Sequence, residues 1–250
     1  MSLVALPELA PLAWAALVVG AMTIGVSKTG LPGANTLGIA LFAAVLPARE
    51  STGAMLLLLM AGDVLALLIY RRHADVRALI RLIPSVAVGL VVGVACLAVL
   101  PDVWVKRLIA ILLLGLVALT LWRRRGGAEA TVQAGRGTAF GYGSLGGFTT
   151  MVANAGGPVM SMYFLASRFS MTTFLGTAAW FFAVINAVKL PFSIGLGLVT
   201  LDTVAMDLLL IVPVLLGAVI GRVIVTRVSQ RVFDAIVVIL TVVGAVYLLF

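Results

Sequence analysis

The sequence predicts an all-α polytopic membrane protein made of two inverted repeats, each a broken or re-entrant helix pair followed by three transmembrane helices. Three observations predict it. Hydrophobic residues make up 63% of the 250 residues and charged residues only 10%, whereas soluble domains average about 45–50% apolar and about 25% charged. Charges and turn residues then cut the chain into apolar segments of membrane-spanning length. Finally, the two halves repeat one another's landmarks at constant offsets.

Composition comes first. A surface facing water cannot be built from so few charges, so the class is integral membrane. The net charge is +8, but the basic residues lie between apolar runs. They read as a topology signal rather than a nucleic-acid footprint. The single Cys96 sits inside an apolar run, with no partner for an internal disulfide or a thiolate metal site. Glu8, not a basic cluster, precedes the first apolar run, so the ordinary signal-peptide pattern is missing.

In order along the chain, the first apolar segments are about 10–27, 34–47, 52–70, 79–100 and 104–122. The most polar stretch, Arg123 to Gly137, follows. The second set is about 138–152, 156–167, 172–195, 204–226 and 231–249. Segments of roughly 18 residues or more span ~30 Å of hydrocarbon as helices. The pieces 34–47, 138–152 and 156–167 are shorter, and each borders a Gly- or Pro-rich break. The organisation is therefore a first membrane repeat over 1–122, a basic cytoplasmic linker over 123–137, and a second, inverted repeat over 138–250.

The offsets support the repeat. Gly53 and Asp63 are answered by Gly176 and Asn186, both 123 residues later. Gly89-xxx-Gly93 is answered by Gly217-xxx-Gly221, 128 residues later, and Pro84 and Pro213 precede the two pairs. Three helices plus a pair that goes in and comes back give an odd number of crossings. The second half is then upside down relative to the first, an arrangement common in secondary transporters. With the N-terminus outside, twelve of the 17 basic residues fall in inside loops, led by 71–81 and 123–136, while Arg49, Lys106 and Arg107 fall outside. That asymmetry places both termini outside.

Most catalytic constellations are excluded. His73 is the one histidine and lies in a basic loop, so neither a metal site nor a Ser-His-Asp triad is expected. Gly141-x-Gly143-x-x-Gly146 follows no strand and is not a dinucleotide loop. The GxxxG pairs suit close helix packing. No cofactor and no enzymatic activity are expected. Trp14, Trp104 and Trp122 sit near segment ends as belt residues, Trp180 is a candidate to pack at a site, and Asp207 and Asp234 are expected at the interface.

Two breaks carry the chemistry, Gly25 to Thr36 and Gly146 to Pro158. Gly and Pro oppose a continuous helix, and freed backbone groups must be buried or line a wet cavity. The segments starting near 34 and 156 open new helices there, whose first amides and dipole favour an anion. Candidate substrate-binding residues are Lys28, Gly33, Asn35, Thr36, Thr150, Asn154, Gly156, Gly157, Asn186 and Lys189, with Thr149 a further hydrogen-bonding residue at the second break. Asn186 and Lys189 are three apart and share a helix face. Ionisable residues at such depth face the protein interior or snorkel to the interface. Asp63 is the candidate for coupling to a proton or other ion, or for an ion pair that holds a lysine.

At these residues the chain resembles the sulfite exporter TauE/SafE family of membrane permeases, over nearly its whole length. The carriers are Lys28-Thr-Gly-Leu-Pro-Gly33, the Asp63 helix ending in Tyr70-Arg-Arg, Gly156-Gly-Pro158-Val-Met-Ser-Met-Tyr163, and Gly176 through Asn186-Ala-Val-Lys189-Leu-Pro191. The resemblance implies a secondary-active permease of the cytoplasmic membrane, exporting a small anion such as sulfite or an organosulfonate. A passive anion channel is the alternative. The expected partners are the anionic substrate, the lipid bilayer and a coupling proton or other ion, with no nucleic acid; an oligomer is compatible with the sequence.

Overall fold

The computed structural model describes residues 7, 9–29, 33–125, 136–167 and 169–227, with scattered positions between 238 and 249. Gly30 to Pro32 of the first break, the centre of the linker, Arg168, Arg231, Asp234 and most of the segment 231–249 lie outside the described residues. Among those described, the secondary structure is entirely helical: α1 Pro11–Thr29, α2 Asn35–Val45, α3 Ala48–Tyr70, α4 Val76–Val99, α5 Asp102–Arg125, α6 Arg136–Ala153, α7 Gly156–Ala166, α8 Met171–Gly195 and α9 Leu201–Arg227. A 3-10 turn, Arg71–His73, joins α3 to the α4 region. Stretches of α1, α3, α4, α8 and α9 are long and apolar enough to cross a membrane. The chain is a polytopic α-helical membrane protein.

Local chemistry explains the boundaries. Asp75 caps α4 by accepting from the Ala78 amide at 3.0 Å, and Ser170 caps α8 by accepting from Thr173 N at 3.2 Å. These short polar side chains satisfy amides that a helix start leaves open. Asp102 accepts from the first amides of α3, Ala48 N at 3.2 Å and Arg49 N at 2.9 Å, joining the start of α5 to the start of α3. Pro47 and Pro101 follow the ends of α2 and α4, where proline cannot continue a helix. By contrast α8 runs through Pro191 to Gly195, so this proline does not end the helix. With 11 residues each, α2 and α7 are about 16 Å long, half a hydrocarbon core.

Glycine brings the helices together, and each half grips the other. A Cβ on Gly25 of α1 would collide with the Val214 carbonyl and Ala218 amide of α9. A Cβ on Gly147 of α6 would collide with the Val86 carbonyl and approach the Leu90 amide of α4. Gly217 lies in the same way against Met22, and Gly89 against Ser144. Gly53 abuts Leu198, while Gly176 abuts Tyr70 and His73. The GxxxG pairs therefore sit at close backbone approaches, as small residues do between membrane helices. Asp207 of α9 is only 3% exposed and is packed inside the bundle. It shares a buried helical face with Thr203, Leu210 and Val214.

Candidate functional site

The two breaks meet. Asn154, one residue past α6, has φ 53°, a left-handed conformation that Asn tolerates better than most residues because of its short polar side chain. Its amide donates to Thr150 O, and Ala155 N donates to Thr149 O, both at 3.1 Å. The turn also presents the Asn154 side chain to two other elements. Nδ2 donates to Thr52 O of α3 at 2.9 Å, and Oδ1 accepts from Lys189 Nζ of α8 at 2.6 Å. Asn35, opening α2, donates through Nδ2 to the Asn154 carbonyl at 3.2 Å. The first turn of α2 is held internally by Thr36 Oγ1 donating to Gly33 O at 2.7 Å.

Lys189 is fully buried. Besides Asn154 it donates to Thr150 O at 2.6 Å, a carbonyl near the end of α6, where a cation is favoured by the helix dipole. Lys28 is placed differently. Its ammonium donates to Asp63 Oδ1 and lies 4.8 Å from the centre of the Phe182 ring, within cation–π range. Gly62 makes room for the lysine stem, since a Cβ there would lie 2.9 Å from Lys28 Cγ. The other oxygen of Asp63 accepts from Asn186 Nδ2 at 2.7 Å. Asp63 and Asn186, paired by the 123-residue offset, are thus in direct contact.

These groups border a cavity of about 70 Å³. A single water needs about 10–15 Å³ of such space, so a small oxyanion with a few waters fits. Lys28, Gly33, Asn35, Asp63, Thr150, Asn154, Gly157 and Asn186 line it. Thr36, Gly156 and Lys189 do not; Thr36 and Lys189 are buried behind it, and Gly156 packs against Thr150. Thr149 is likewise buried, its hydroxyl donating to Leu145 O at 2.8 Å. The starts of α2 and α7 border the cavity through Gly33, Asn35, Gly157 and Pro158, bringing two positive helix ends to one space. At the cavity wall itself, the Lys28 ammonium and the Asp63 carboxylate formally balance.

Some lining residues were not singled out from the sequence. Ser27, Ser161, Phe174 and Phe182 are among them. Phe182 is four residues before Asn186, so a helical-face argument on α8 could have found it. Trp180, expected at the site, is instead 39% exposed and donates its indole N–H to Arg71 O at 3.1 Å. Among the described residues there is no cluster of His, Cys, Asp and Glu able to hold a metal ion.

The family model described as Sulfite exporter TauE/SafE matches residues 8–248. No curated protein and no solved structure matches the chain.

Proposed function

The chain belongs to the TauE/SafE sulfite exporter family, and on that premise we propose that it is a secondary transporter exporting a small anion, sulfite or an organosulfonate, from a site at the Lys28 cavity. The observation that carries the reading is a lysine ammonium facing a cavity large enough for a small oxyanion, to which two short helices bring their N-terminal ends. Backbone donors with a fixed dipole bind oxyanions without requiring further charge. Lys28 supplies the cationic contact, and the side-chain amides of Asn35 and Asn186 tie the cavity wall to Asn154 and Asp63. An arriving anion competes with Asp63 for Lys28. Displacement of that carboxylate offers a route by which proton or other ion binding at Asp63 is linked to anion binding. The reciprocal contacts between α1 and α9 and between α6 and α4 support two inverted halves that rock against each other, and the basic loops 71–81 and 123–136 support placing both termini outside.

Reconstituted vesicles test the site. The Lys28→Ala, Asp63→Asn protein removes the ion pair without stranding a charge. It should fold and move no sulfite. Normal sulfite flux through it would overturn the assignment of the cavity. Uphill sulfite accumulation driven by an imposed ion gradient is expected of the intact protein; flux that only runs downhill would make it a channel.

A further inference from the structure

The cavity is not symmetric about its polar centre. Along α8 its wall runs from Asn186 back to Phe174, about 18 Å of helix. Towards Phe174 the lining residues Ser161, Phe174 and Ala178 are partly exposed. In the opposite direction, towards Thr52, the described residues close over it. Thr52 and Asn154 are 3% and 4% exposed, and Leu56 is completely buried. There Asn154 Nδ2 donates to Thr52 O at 2.9 Å and Thr52 Oγ1 to Val152 O at 3.2 Å, while Gly53 lies directly on Leu198.

The open direction has a chemical identity. The 3-10 turn Arg71–His73 rides on the half of α8 that forms the partly exposed wall. Gly176 abuts Tyr70 and His73, Asp75 N donates to Thr177 Oγ1 at 2.9 Å, and the Trp180 indole holds Arg71 O. The next loop and helix start bring Arg77 and Arg81, and all four arginines of this stretch are exposed. A cationic rim beside the mouth raises the local concentration of anions.

We infer that the structure is one of two access states: the anion cavity opens only to the face carrying the 71–81 basic loop, and the Asn154–Thr52 clasp shuts it from the opposite face. The inference rests on the Lys28 cavity being the transport site, but its test uses no substrate, so the two fail separately. Cys96 is replaced by Ala, and single cysteines are introduced as Ala178→Cys, Ser161→Cys and Thr52→Cys, with Arg72→Cys marking the basic face. Each is exposed to a membrane-impermeant thiol reagent from one side of sealed vesicles at a time. Ala178→Cys and Ser161→Cys should react faster from the side on which Arg72→Cys reacts, and Thr52→Cys should react more slowly than either from that side. Faster reaction of Ala178→Cys or Ser161→Cys from the other side would overturn the inference. So would protection of both from both sides while Arg72→Cys reacts, or reaction of Thr52→Cys from the marker's side as fast as Ala178→Cys.

Discussion

The two breaks each hold a lysine, and they use it in opposite ways. At the first, Lys28 belongs to the helix that breaks, borders the cavity and shares its charge with Asp63 and the Phe182 face. At the second, Lys189 comes from a different helix, is sealed from solvent and spends two of its three N–H donors on Thr150 O and Asn154 Oδ1. An ammonium satisfied by protein carbonyls has little left for a ligand. The difference teaches that buried positive charge marks a site without saying which lysine meets the substrate. One faces the cavity, and the other fixes the turn that shapes it.

Substitutions can break or sharpen that contrast. The largest effect is expected from Lys28→Ala alone, which strands the Asp63 carboxylate and should cost about 3–5 kcal/mol of stability. Adding Asp63→Asn should restore most of that stability without restoring transport. Thermal unfolding in detergent, read beside vesicle flux, checks both halves of the statement. Lys189→Met should come next. It leaves the buried Asn154 Oδ1 without its donor at about 1–3 kcal/mol, while Thr150 O keeps the Asn154 amide, and a lowered Tm is the readout. A Lys189→Met protein as stable as the parent yet unable to transport would erase the division of labour. A smaller effect separates Asn154→Ala from Asn154→Gly. Both lose the side-chain bonds, but only alanine is strained at φ 53°, so it should be the less stable by about 1 kcal/mol. The smallest is Phe182→Leu. Losing the ring face under Lys28 is worth about 0.5–1 kcal/mol, so the half-saturating anion concentration should rise about two- to fivefold.

Much of this was legible because membrane helices are written in run length. The apolar segments at 52–70, 79–100, 172–195 and 204–226 correspond to α3, α4, α8 and α9 within a few residues. The breaks were legible from Gly and Pro, and the 123-residue offset singled out two residues, Asp63 and Asn186, that touch. What the sequence could not supply was the direction of each side chain. Trp180 and Phe182 are two apart, nearly opposite on a helix; only Phe182 turns to the cavity, and the tryptophan meets Arg71. Proximity to a segment end gave Asp207 no facing direction; the structure puts it on the face that α9 buries. The partners of Lys189 lie 35 and 39 residues away, brought near only when α6 and α8 pack.

The mutual grip between halves has a consequence for how the chain is made. The Thr29 hydroxyl donates to the Ala218 carbonyl 189 residues downstream, and Gly25 beside it is shaped for that same helix. At ~5–20 residues per second of synthesis, α1 waits roughly 10–40 s in the bilayer before its neighbour emerges from the ribosome. Until then its small-residue groove faces lipid or a surrogate. A nascent chain arrested before Leu201 therefore lacks the partner that fills this seam, and the packing of the first helix is completed only near the end of translation.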